Sequence, residues 1–191
     1  MPFLLRGIRK GKWNKAYPEW LADDEFPADP VCDFNTSRNM LSLYMVEDLS
    51  EHNISRTIAA LALTKIKPKH KDHQRIENYD YIAFDFGLIS NIGMTLEKSD
   101  GQTLDEGINA NHYNLIELSV QRLTILAREI KDNFSDNINR VNVKPLARYI
   151  QNSIRNNNLD INVVKDFGAP FHEQMNDLLS GDYDISNIAC T

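Results

Sequence analysis

Apolar residues recur at helical spacing most regularly between Ile108 and Phe134. At about 100° per residue, Leu115, Ile116, Val120, Leu123, Leu126, Ala127, Ile130 and Phe134 share one broad face. Glu117, Gln121, Thr124, Arg128 and Lys131 share the opposite side, and Leu118 and Ile125 form a small second apolar flank. A helix with one narrow polar stripe is mostly surrounded by protein. The pattern therefore predicts a central core helix over 108–134, with an architectural role. Alternation with a period of two predicts strands elsewhere, at Phe3–Ile8, Met40–Glu47, Tyr79–Phe86 and Met94–Glu97. In the third of these, Ile82, Phe84 and Phe86 fall on one face and Tyr81, Ala83 and Asp85 on the other.

Capping signals frame the remaining elements. Asp48 with Glu51 reads as a helix N-terminus, and the helix runs to Ile66 with Ile54, Ile58, Leu61 and Ala62 inward, before Pro68. Leu88–Ile92 reads as one helical turn ended by Gly93, and Asp100-Gly101 as a turn. Thr103 with Glu106 repeats the capping spacing ahead of the central helix. Beyond Phe134 everything reads as helical. Pro145 suits a first turn, Asn156-Asn157-Asn158 end that helix, and Asp160 caps a short one to Phe167. A last helix carries Phe171, Met175, Leu178 and Leu179 and ends near Gly181. The acidic tail from Asp182 reads as loose. Strands cluster first and helices later. This predicts an α+β fold: a small N-terminal mixed sheet of about four strands packed by helices, with a helical C-terminal half. The expected division is an α+β core domain over 1–134 and a helical extension packed on it over 135–191.

Composition narrows the class. Of 191 residues, 42% are hydrophobic and 25% charged, enough for a core and too apolar for wholesale disorder. The net charge of −6 argues against nucleic-acid or membrane binding by the surface as a whole. Cys32 and Cys190 are too few for a disulfide scaffold, so a reduced, cytoplasmic protein is expected. The sequence holds no apolar run of membrane-spanning length, and the start MPFLLRGIRKGK lacks the features of a signal peptide.

The charges are unevenly spread. Arg6, Arg9, Lys10, Lys12 and Lys15 come without an acid. Glu19, Asp23, Asp24, Glu25, Asp29 and Asp33 then come without a cation, among Pro18, Pro27 and Pro30. Trp13, Tyr17 and Trp20 are embedded in this irregular segment. They either pin the loop to the fold or anchor a partner, since interfaces favour such residues. Trp13, Tyr17, Trp20, Asp23, Asp24 and Glu25 are the candidate partner-binding residues. The loop KIKPKHKDHQR supplies Lys67, Lys69, Lys71 and Arg75 as candidate phosphate contacts, or is a solvated linker. It lacks interleaved aromatics for base stacking. His70 and His73 alone do not make a metal site, and the lysines around them would repel a cation.

Catalytic signals are sparse. Glu47, Asp48, Asp80 and Asp85 sit at predicted strand ends, where carboxylates can hold Mg²⁺ or act as base. Asp48 already has a capping role, and no Lys or Gln stands beside them as a nuclease site would want. Asp85-Phe86-Gly87 has none of the other kinase motifs around it. His112 with Glu117 or Ser119 suggests acid–base chemistry without a nucleophile beside it. His172 with Glu173 reads the same way, and Cys32 has no CxxC partner. The chain has no Gly-rich phosphate loop, no GxSxG and no HExxH. No catalytic residue, cofactor or metal is assigned.

The segments MPFLLR, LSLYMVED, IAALALTK, DYIAFD and NLIELS, in that order, resemble a family of small bacterial proteins to which no activity attaches. The similarity runs through strands and core helices, so it implies a fold and brings no site residue. The basic loop after Ile66 and the helix near Phe171 depart from it. The expectation is a non-catalytic cytosolic binder of another macromolecule, first a protein, in the manner of an immunity, antitoxin-like or accessory factor. The alternatives are a nucleic-acid binder using segments 6–15 and 65–75, and a metal-dependent nuclease or hydrolase using Asp80 or Asp85.

Overall fold

In the computed structural model, residues 2–19, 21–22, 25–133 and 137–183 are described. The chain forms two compact units. The first comprises Met1–Asp48, Asp80–Asp100 and Asn111–Arg140; the second comprises Leu49–Tyr79, Gly101–Ala110 and Val141–Thr191.

The sheet belongs to the first unit but for its end residues Tyr79 and Val141. β1 (Phe3–Ile8), β2 (Leu41–Val46), β3 (Tyr79–Asp85), β4 (Thr95–Lys98), β5 (His112–Ile116) and β6 (Ile138–Val141) line up in the order β4-β5-β2-β1-β3-β6. Six strands therefore replace the four expected. The β1–β2, β1–β3, β2–β5 and β4–β5 pairs are antiparallel, where a mixed sheet was expected. β1 lies between β2 and β3, with Leu4 opposite Met45 on one side and Phe84 on the other. Leu4 and Leu5, on opposite faces, are both fully buried. A strand buried on both faces reads as a continuous apolar run, as FLL does.

One sheet face carries Leu4, Leu43, Ile82, Phe84 and Leu115. They join Leu123, Leu126, Ala127 and Ile130 of the helix Val120–Asp132 in a single apolar cluster. Each of the leucine, isoleucine and phenylalanine side chains contributes roughly 1.5–3 kcal/mol when fully buried. The short helices α1 (Lys10–Trp13) and α2 (Ala28–Val31), with the 3-10 turn Cys32–Phe34, add Trp13 and Phe34 to that cluster. Asp85 caps the short helix Phe86–Asn91 by accepting from the Gly87 amide at 2.6 Å. Gly93 follows it with φ +68°, the conformation glycine adopts most cheaply.

The second unit is helical among its described residues, but for the strand ends. α3 (Glu51–Ile66) lies along the helix Val143–Arg155. The helix Ala169–Leu178 packs on Val143–Arg155 and on the 3-10 turn Lys71–His73. With α4 (Phe86–Asn91), α5 (Glu106–Asn109), α6 (Val120–Asp132), α7 (Val143–Arg155), α8 (Ile161–Lys165) and α9 (Ala169–Leu178), the described residues form nine α-helices.

The predicted central helix over 108–134 is three elements. It begins at the end of α5, continues as β5 and becomes α6 only from Val120. Glu117 adopts φ +56°, which no helix continues through, and Ser119 then caps α6 by accepting from the Arg122 amide. Leu115 and Ile116 belong to the strand, and Val120 is 79% exposed. Phe134 lies outside the described residues. Two predicted caps also move. α3 starts after Ser50 in place of Asp48, and α5 starts after Asp105 in place of Thr103. β6 lies in a region expected to be wholly helical.

Candidate functional site

The segment between β1 and β2 is held to α6 by a set of polar clamps. The Lys131 ammonium donates to the backbone carbonyls of Trp13 and Lys15, and it sits 5.9 Å from the centre of the Tyr17 ring. Arg128 donates to the Glu25 carbonyl. The Tyr17 hydroxyl donates to Asp132 at 3.4 Å. Burial, and then the Asp132 charge, raise the Tyr17 pKa above its ordinary value. Burial lowers that of Lys131 despite neighbouring Asp132. The polar side of α6 is thus an attachment surface for the loop.

Trp13 is fully buried and forms the floor of this arrangement. Its ring packs edge-on to Phe34 at 5.5 Å and against Phe26 at 6.0 Å, while its indole N–H donates to Asp33 at 3.2 Å. Phe26 in turn meets Tyr17 edge-on at 5.7 Å. Above the floor a pocket of about 310 Å³ opens, walled by Tyr17, Phe26, Pro18, Pro27, Ala28 and Pro30. Its lysines are largely satisfied internally. Lys12 pairs with Asp33 at 3.4 Å and Lys15 with Asp29 at 3.5 Å, and Lys131 is held as above. Glu19 and Glu25, the sequence neighbours of the lining residues Pro18 and Phe26, are exposed, and neither forms an ion pair among the described residues. Tyr17 is 41% exposed. Of the six residues singled out from sequence, Trp13, Tyr17 and Glu25 are placed in this one region. Trp20, Asp23 and Asp24 lie outside the described residues.

The basic loop is tied down more tightly than its composition suggests. Buried Gln74 donates to the carbonyls of Lys67 and Lys69 and accepts from the Gly168 amide at 2.7 Å. Gln174 exchanges two hydrogen bonds with the backbone of Ile76. Lys69 pairs with Glu77 at 2.9 Å and Lys71 with Asp166 at 2.6 Å, while Arg75 reaches the Pro170 carbonyl. Lys67 is exposed. His70 and His73 have ring centres 6.1 Å apart, and no group of three or more His, Cys, Asp or Glu suited to a metal occurs among the described residues.

The strand-end carboxylates do not all gather at one place. β2 and β3 both run antiparallel to β1, so Glu47, Asp48 and Asp85 lie at one end of the sheet and Asp80 at the other. Asp80 accepts two hydrogen bonds from Arg140 and one from the Lys10 amide. Glu117 pairs with Arg122 and Ser119 is a helix cap, so neither supports His112. His112 instead meets the Ser99 hydroxyl at 2.8 Å and packs tilted against Tyr44, and Ser99 accepts from Asn114 at 2.8 Å. Burial lowers the His112 pKa, which favours the neutral ring in its hydrogen bond with the Ser99 hydroxyl. In the second unit His172 is held between the Tyr183 hydroxyl and the Phe167 carbonyl, and Glu173 is exposed. Cys32 is exposed as a free thiol.

Phe26, Arg128 and Asp132 were not singled out from sequence. Over a hundred positions separate the loop from α6, and no local pattern links them. No family model matches this chain, and no curated protein or solved structure is detectably similar to it. No described helix is long and apolar enough to cross a membrane.

Proposed function

We propose that this chain is a non-catalytic protein-binding factor whose pocket at residues 12–30 seats one apolar side chain of a basic partner segment. The observation that carries the reading is the pocket itself, with walls of tyrosine, phenylalanine and proline over a tryptophan floor. Aromatic-lined, rigid depressions are where binding energy concentrates at protein interfaces. The volume is at the small end of the roughly 300–1,000 Å³ of small-molecule sites. It suits a single anchoring side chain. The lysines around it already have carbonyl or carboxylate partners, so they do not call for an anion. Glu19 and Glu25, beside the lining residues in sequence, add negative charge, which favours lysine or arginine flanking the anchor and speeds encounter. This ranks above nucleic-acid binding by the 65–75 loop, because Lys69 and Lys71 are already neutralised. It ranks above a hydrolase, because Asp80 and Asp85 are occupied and stand apart.

Selection from a displayed random-peptide library tests it. The expected enrichment is for peptides with a large apolar residue between basic ones. Ala28→Trp, which fills the pocket from its exposed rim, should abolish their binding with melting temperature unchanged. Enrichment that survives Ala28→Trp, or none at all, would remove the reading.

A further inference from the structure

We propose that the second unit carries a separate anion site, on α7, that takes a phosphate-bearing small molecule. The helix has three cations and no acid, in a chain whose net charge is −6. Lys144 and Arg148 are four residues apart and so neighbour one another on one helix face. Both are exposed, and neither forms an ion pair among the described residues. Asn152 continues the same face one turn further. Opposite them, the end of α9 supplies Leu178, Leu179 and Ser180, and these groups together line a cavity of about 290 Å³.

The charges at the far end of this cavity are already balanced. Asp182 also lines it, but Arg155 pairs with that carboxylate at 3.3 Å. Buried Gln151 donates to the Asp182 carbonyl at 2.8 Å, fixing the segment there. Lys144 and Arg148 therefore bring two positive charges to the cavity, and neither has an ion-pair partner among the described residues. A phosphate monoester, at about −1.5 to −2 near neutral pH, balances both, whereas a single carboxylate balances one. Arg148 offers the planar fork suited to two phosphate oxygens, Lys144 a compact ammonium, and Asn152 an amide donor. Lys144 lies in the first turn of α7, where the helix dipole also favours an anion. Leu178 and Leu179 provide an apolar wall for the rest of the molecule, and the volume leaves room for one.

The test is calorimetric titration of the full chain, at fixed ionic strength, with glucose 6-phosphate, inorganic phosphate, glucose, succinate and a short single-stranded oligonucleotide. Saturable binding of glucose 6-phosphate is expected, with weaker phosphate binding and none of glucose. Lys144→Gln with Arg148→Gln should weaken binding by about tenfold or more, the loss expected for two charge-assisted contacts. Lys165→Gln, at an exposed position of α8, should leave it unchanged. Both variants alter exposed side chains, and matching ligand-free melting curves would verify their folding. No saturable phosphate binding, or binding that survives the double substitution, would overturn the proposal. So would tighter binding of succinate, or oligonucleotide binding without glucose 6-phosphate binding.

Discussion

Asp105 joins two helices through one carboxylate. It is 1% exposed, accepts from the Gly107 and Ile108 amides at the start of α5, and takes Arg56 of α3 at 2.6 and 2.7 Å. A Cβ at Gly107 would stand 2.2 Å from the Arg56 guanidinium, so a larger residue there would push that side chain off its present position. Removing one partner of a buried pair strands the other charge, which costs about 3–5 kcal/mol when both are fully buried. Arg56 keeps 39% side-chain exposure, so solvent screens part of that loss. Asp105→Ala, which also removes the cap, should cost roughly 2–4 kcal/mol in urea denaturation. His112 gives a pH test at the same scale. Burial depresses its folded pKa below the ordinary 6.5, so the unfolded chain binds the proton more readily. This contribution to stability is present above the ordinary value and is lost as pH falls through the folded value. Urea midpoints should drop between about pH 7 and about pH 5 in the wild type, and by less in His112→Asn. An equal drop in both proteins would assign the titration elsewhere.

At the scale of elements, strands and helices were legible where local patterns dominate. Phe3–Ile8 matches β1 residue for residue, and α3 ends at Ile66 as predicted. The stretch after Ile108 misled for a physical reason. Leu115, Ile116 and Leu123 satisfy helical spacing by coincidence, while the break between them depends on one positive φ at Glu117 and a cap at Ser119. β6 is four residues at a sheet edge, too short to show alternation. The pocket was half legible. Trp13 and Tyr17 stand out in sequence and Phe26 does not, and whether each is floor, wall or rim is set by the packing of the loop on α6. Once α6 is confined to Val120–Asp132, its buried face is narrower than the sequence implied. Leu126→Ala should cost about 2–5 kcal/mol, since Leu126 is fully buried in the sheet-facing cluster. Val120→Ala, at 79% exposure, should change stability little. Equal effects on thermal unfolding would mean that α6 is rotated from this orientation.

For the whole molecule, the two proposed sites use opposite chemistry in different units. The first is an apolar pocket flanked in sequence by carboxylates; the second is a pair of cations with no ion-pair partner among the described residues, in an acidic chain. Salt separates them from each other. Apolar anchoring should be weakly salt-dependent apart from its encounter rate, whereas phosphate binding through Lys144 and Arg148 should weaken as salt rises. The central claim is that the 12–30 pocket receives a partner side chain. The most direct measurement is the affinity of one library-selected peptide for the wild type and for Ala28→Trp, by fluorescence anisotropy. A loss of about tenfold or more, with the far-UV spectrum and melting temperature unchanged, is the predicted result. Equal affinity for the two proteins would place the binding surface elsewhere and contradict the account.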